Sequence, residues 1–170
     1  MLSFDIRSLE SQAAHVDGTV SPDDPVWEAG DMRPTEPIHV EGRLSAAGPT
    51  RFYFSGRMTG VSEMPCRRCL EDVRVEVSEE EHFIFSAEGE AGSDDPDVFP
   101  FDPTAHALDM RPAVREAWLL AAPAFVQCRE DCKGLCPTCG TDWNTGSCNC
   151  EPATTDSRWE KLRAIRDSFS

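Results

Sequence analysis

Cysteine carries the chemistry this chain can do. Six of its eight cysteines lie between Cys128 and Cys150, and the other two, Cys66 and Cys69, form an upstream Cys-x-x-Cys. Zinc takes four thiolate or imidazole ligands in a tetrahedron, and one tight Cys-x-x-Cys turn supplies two of them. Cys136-Pro137-Thr138-Cys139-Gly140 has the parts of such a knuckle. Gly140 is free to take the left-handed conformation that closes the turn. Cys148-Asn149-Cys150 is a second, tighter pair. Cys66-Arg67-Arg68-Cys69 lacks the closing glycine, because Leu70 follows, and its arginines favour thiolate by proximity.

Eight cysteines divide evenly into two four-cysteine sites. Cys136, Cys139, Cys148 and Cys150 make one compact set, and Cys66, Cys69, Cys128 and Cys132 make the other. A pairing of Cys66 and Cys69 with Cys136 and Cys139 uses the same residues, as does a single zinc with spare thiols. The expectation is structural zinc, two ions in all, although thiolates also hold iron–sulfur clusters. Two catalytic readings compete. A thiol-disulfide redox protein acting through Cys66 and Cys69 wants its motif opening a helix in a βαβ unit, whereas strands flank it here. A radical-SAM site fits the Cys132, Cys136, Cys139 spacing, but too little chain follows Cys139 for the barrel it requires.

Acid–base chemistry finds little support. His15, His39, His82 and His106 are scattered and show no metal-pair spacing. There is no P-loop, dinucleotide-binding glycine turn, nucleophile elbow or His-Glu-x-x-His. Closed all-thiolate sites are structural, whereas catalytic zinc keeps an open position. The residues therefore predict no enzyme and no small-molecule substrate.

The formal charge is −15, and eight thiolates with two divalent ions would take it to about −19. That disfavours a broad nucleic-acid groove, which needs Lys and Arg against phosphate, and suits a basic protein partner. Any RNA contact must be local. No signal peptide is visible at Met1-Leu2-Ser3-Phe4, and the longest apolar run, Ala117 to Val126, is broken by Pro123 and too short to cross a bilayer. These features predict a soluble cytoplasmic protein with no membrane contact, where clustered cysteines bind metal rather than form disulfides.

The elements that must position the cysteines follow from periodicity. Ser3 to Leu9 alternates and reads as a strand, while His15 to Glu36 reads as a loop anchored by Trp27. Ile38, Val40 and Leu44, then Phe52, Phe54 and Met58, alternate on either side of a Gly48-Pro49 turn, predicting a half-buried antiparallel hairpin. Val73, Val75 and Val77, then Phe83 to Phe85, extend it to a meander of about five or six strands. No Lys or Arg occurs between Val75 and Met110, where eleven acids lie; residues 88–103 read as an acidic loop, either a solvated linker or a dock for a basic partner.

A helix is predicted over Leu108 to Ala122, capped by Asp109, with Pro112 in its first turn. Its inner stripe is Met110, Ala113, Val114, Ala117, Leu120 and Ala121. A last helix opens at Thr155 or Asp156, with Trp159, Leu162, Ile165 and Phe169 on one stripe. Arg158, Lys161, Arg163 and Arg166 lie elsewhere on it, a candidate contact to RNA or a partner. The fold class is α+β: an antiparallel sheet with one packed helix over residues 1–125, and a Cys-rich zinc-knuckle tail with a terminal helix over residues 126–170.

Three stretches carry a resemblance. They are Met64-Pro65-Cys66-Arg67-Arg68-Cys69-Leu70-Glu71, Leu108 to Glu116, and Cys128 to Gly140. In order and spacing, and with Asp156-Ser157-Arg158-Trp159 beyond them, they resemble the bacterial YceD family of large ribosomal RNA subunit accumulation proteins. The resemblance implies a role in accumulating large-subunit ribosomal RNA, and so in ribosome assembly, without catalysis. It makes a ribosomal protein or pre-ribosomal particle the expected partner. A zinc-stabilised interaction adaptor with some other partner is the remaining alternative.

Overall fold

The computed structural model describes residues 2–90, 95, 97–151, 159, 165 and 166. The chain divides into two units, residues 1–64 with 72–126, and residues 65–71 with 127–170.

The first unit is built on strands β1 (Ser3–Asp5), β2 (Ala14–Val20), β3 (Ile38–Ala46), β4 (Arg51–Pro65), β5 (Asp72–Ala87), β6 (Val98–Phe101) and β7 (Ala107–Asp109), with helices α1 (Ile6–Ser11) and α2 (Arg111–Ala121). One sheet runs in the order β2-β3-β4-β5-β6, and β1 pairs with β7 in a second. The expected hairpin is β3 with β4, antiparallel, with Val40 opposite Met58 and Leu44 opposite Phe54. Ile38, Val40, Leu44, Phe52, Phe54 and Met58 are all buried. The fold class is the α+β architecture expected, and Trp27 is buried as its anchor role requires, its Nε1–H donating to the Ser21 carbonyl at 2.8 Å.

Four local expectations change. The alternation at Ser3 to Leu9 yields a strand only to Asp5. The Asp5 carboxylate then accepts from the Ser8 N–H at 2.8 Å and caps α1, which buries Ile6 and Leu9 three residues apart. Part of the predicted loop is β2, paired antiparallel to β3 from Ala14 opposite Leu44 to Val20 opposite Ile38. The Pro, Asp and Gly content of His15 to Glu36 reads as a loop, but Val16, Gly18 and Val20 all point inward and outweigh it.

The acidic stretch contains β6, which pairs parallel to β5 with Phe99 opposite Phe85. Pro100 is tolerated there because β6 is an edge strand, and Phe99 packs on Phe83 and Phe85 with ring centroids 5.7 and 5.8 Å away. Finally, α2 buries Ala113, Val114, Ala117 and Trp118, while Leu120 is 79 % exposed. Trp118 takes the place expected for Leu120. Its Nε1–H donates to the Met32 carbonyl at 2.8 Å, and its ring fills the space left by Gly60, where a β-carbon would stand 2.6 Å from it. Asp109 serves the helix start one residue earlier than a regular cap, accepting the Arg111 N–H at 3.0 Å.

The terminal helix lies mostly outside the described residues, as do Arg158, Lys161 and Arg163. Trp159, Ile165 and Arg166 are described and exposed, and Ile165 and Arg166 are helical. Among the described residues no helix is long and apolar enough to cross a membrane.

Candidate metal centre

The second unit brings together a knuckle that follows β4 in the chain and the segment from Gln127 onward. Its first knuckle is set by three bonds. The Cys66 N–H donates to the Glu71 carbonyl at 2.8 Å, the Leu70 N–H to the Cys66 carbonyl at 2.9 Å, and the Arg68 N–H to Cys66 Sγ at 3.5 Å. The second repeats them. The Cys136 N–H donates to the Thr141 carbonyl at 2.9 Å, the Gly140 N–H to the Cys136 carbonyl at 2.9 Å, and the Thr138 N–H to Cys136 Sγ at 3.4 Å. Gly140 closes its turn at φ 75°, and Leu70 holds the same left-handed region at φ 62°. The missing glycine thus changes the cost of the first turn and not its shape.

The eight sulfurs fall into two groups, Cys66, Cys69, Cys128 and Cys132, and Cys136, Cys139, Cys148 and Cys150, each with all Sγ atoms within 4.8 Å of one another. Cys66 and Cys69 do not join Cys136 and Cys139. Within the first group Cys66 Sγ lies 3.9 Å from Cys132 Sγ, and Cys69 Sγ 3.6 Å from Cys128 Sγ. A disulfide would need about 2.05 Å. A tetrahedron of sulfurs about 2.3 Å from zinc has edges of about 3.8 Å, which these distances bracket. The donor set is therefore suited to a thiophilic metal ion in tetrahedral coordination. No histidine joins either group among the described residues; His82 instead stacks on Tyr53, whose hydroxyl lies 2.8 Å from His82 Nδ1.

Further N–H donors complete the cradle. The Cys128 N–H donates to Cys66 Sγ at 3.4 Å, the Trp143 Nε1–H to Cys148 Sγ at 3.4 Å, and the Asn144 amide to Cys132 Sγ at 3.6 Å. Such donors spread thiolate charge and orient the ligands. Asn144 lies in the loop between Cys139 and Cys148, yet it reaches a sulfur of the other group. Its Oδ1 also accepts the Lys133 N–H at 2.8 Å. Sequence reasoning missed Trp143 and Asn144; the signal was Asp142-x-Asn144, a pattern that favours an Asx turn, which the Asn144 N–H forms with Asp142 Oδ1 at 2.9 Å.

Protonation is divided unevenly within each group. Burial opposes ionisation of Cys66, but the N–H groups of Cys128, Cys69 and Arg68 outweigh it and bring the thiol down to about 6. Burial, then the sulfurs of Cys132, Cys69 and Cys66, push Cys128 up to about 12. In the other group the Thr141 hydroxyl and N–H lower Cys139 to about 6, and the Cys139 sulfur, with burial, raises Cys150 to about 12. Four thiolates this close cannot all ionise without a cation between them.

An α+β unit and a second unit with two four-cysteine clusters, each able to hold a metal ion, define the class of Cys-rich, metal-binding-competent α+β proteins. Within that class, a family model described as "Large ribosomal RNA subunit accumulation protein YceD" matches residues 54–166. That is well over half of the chain, and the chain belongs to this family. No curated protein and no solved structure matches it.

Proposed function

We propose that this chain is a non-enzymatic factor that supports accumulation of large-subunit ribosomal RNA during ribosome assembly in the cytoplasm, with one structural zinc in each four-cysteine group. Membership of a family described by large-subunit ribosomal RNA accumulation carries the reading. The metal assignment rests on the sulfur spacing and the all-thiolate set, which fit a closed site. The redox alternative is disfavoured because Cys66 and Cys69 are buried and sit in a turn between strands.

The charge distribution supports a basic partner such as a ribosomal protein. Of the 31 acidic and 16 basic residues, eight of each fall in the second unit, which leaves the first with 23 acids and 8 bases. Arg158, Lys161, Arg163 and Arg166 remain a proposed RNA contact. The test is the ratio of large- to small-subunit ribosomal RNA in cells lacking the chain. The ratio should fall, and recover with the wild-type chain but not with Cys136→Ser; an unchanged ratio overturns the reading. Native mass spectrometry should give two zinc ions per chain.

A further inference from the structure

Gly134 lies between the two cysteine groups, and two other segments meet on it. The Leu135 N–H donates to the Arg68 carbonyl at 3.0 Å, and a β-carbon on Gly134 would stand 2.9 Å from that oxygen and 3.3 Å from the Arg68 β-carbon. On its other side the Trp143 N–H donates to the Gly134 carbonyl at 3.0 Å. Arg68, Lys133 and Trp143, distant in sequence, are thereby gathered at one place within the second unit, and all three are exposed.

We infer that this surface binds single-stranded RNA, with Arg68 and Lys133 on phosphates and the Trp143 indole under a base. Deepening the function proposed above, and resting on it, this assigns a contact in the cysteine module rather than in the terminal basic segment. Trp143 is 37 % exposed although both its nitrogens are fixed, the main-chain one on Gly134 and Nε1 on Cys148 Sγ. A ring held this way is a stacking platform that loses little freedom on binding.

The cations are available. Among the described residues neither the Arg68 nor the Lys133 side chain has an ion-pair or hydrogen-bond partner. Two of the acids close in sequence are engaged: Asp142 Oδ1 accepts from the Asn144 N–H and amide at 2.9 and 2.7 Å, and Asp131 pairs with Arg129 at 3.4 Å. An acidic protein would use the cations but has no need of an exposed, immobilised indole. Unstacked bases use both, and duplex RNA hides the faces that the indole would meet.

The zinc-loaded full chain should bind a fluorescent oligouridylate in anisotropy titrations at low salt. The double variant Arg68→Ala/Lys133→Ala should weaken binding about tenfold and flatten the salt dependence by about 1.4, two single-strand phosphate contacts' worth. Trp143→Leu should also cost about tenfold, while Trp143→Phe, which keeps a π-face, should stay near wild type. Arg68→Ala/Lys133→Ala should keep two zinc ions per chain, whereas the Trp143 variants, which lose the Nε1–H donated to Cys148 Sγ, are compared with wild type in excess zinc, with the ion count checked on each.

Absence of binding by the loaded wild type overturns the proposal. So does binding insensitive to the double variant, binding lost only when Arg158, Lys161, Arg163 and Arg166 are neutralised, or competition by polyglutamate as strong as by RNA. The broader function fails separately: it falls if ribosomal RNA in cells lacking the chain is unchanged. If that RNA falls and the double variant restores it fully, only this surface is refuted.

Discussion

The two units are held by different chemistry. The first encloses a continuous apolar core, from Leu2 and Leu9 through Val16, Phe54 and Phe85 to Trp118. In the second, the hydrophobic residues buried among those described are Cys66, Cys69, Cys132 and Cys136, and no aliphatic or aromatic side chain joins them. Burial of a Leu- or Phe-sized group contributes about 1.5–3 kcal/mol, so the first unit has many such terms and the second, among its described residues, almost none. A small unit without a core needs staples, and a metal bound by four thiolates supplies binding free energy that is also folding free energy. The difference teaches that the cysteines of this chain stand where other domains place leucines.

The largest expected effect breaks the comparison outright. Chelation should unfold the second unit and leave the first intact. Amide hydrogen exchange should lose protection in residues 65–71 and 127–151 while β2 to β5 keep theirs; loss of protection in both together would show that the body also depends on metal. Next, Trp118→Ala should cost the first unit about 3–5 kcal/mol by denaturant titration and leave zinc stoichiometry unchanged.

A finer test separates the two knuckles. Gly140→Ala forces a side chain into φ 75° and should cost about 1 kcal/mol, read as a lower melting temperature of the loaded chain. Leu70→Gly relieves the same strain in the other turn, and Leu70 is 63 % exposed, so little packing is lost. That change should be neutral or stabilising by a few tenths of a kcal/mol. A destabilised Leu70→Gly would mean that the leucine makes a contact of its own.

The smallest effect is in acid. Hydrogen bonds from Arg115 and the Glu28 N–H hold Asp31 below its ordinary 3.8. Burial works against Asp109, but Arg111 brings it below the same value. A depressed carboxylate stabilises the fold above its unfolded pKa, and that contribution is lost as pH falls through the lower folded value. Protons compete for the thiolates at higher pH than this. On acidification, metal release followed by absorbance of a zinc indicator should therefore precede unfolding of the first unit followed by near-UV circular dichroism. Coincident transitions would contradict the separation of the two chemistries.

Much of this was legible in the sequence because it is carried by local spacing. The cysteine pairs, the alternation of β3 and β4 and the anchoring Trp27 each need only neighbouring residues to be read. What escaped depends on partners distant in the chain. Val16 and Val20 look like loop residues until Ile38 to Leu44 lies beside them. Val98 to Phe101 looks acidic and Pro-broken until Phe83 and Phe85 receive Phe99. Trp118 outranks Leu120 because Gly60, on strand β4, leaves it room. In the cysteine module the missed residues were those that donate to sulfur, since an indole or an amide carries no spacing rule.

Asn144 has a consequence for how the module responds to metal supply. It sits in the loop that the Cys136 group closes, and it donates to Cys132 in the other group while holding the Lys133 N–H. Only Lys133, Gly134 and Leu135 separate Cys132 from Cys136. An ion that settles in one group therefore fixes the backbone on which the other group depends. Filling should be steep rather than graded with free metal, so that the chain is either fully clasped or open, and half-loaded molecules are scarce.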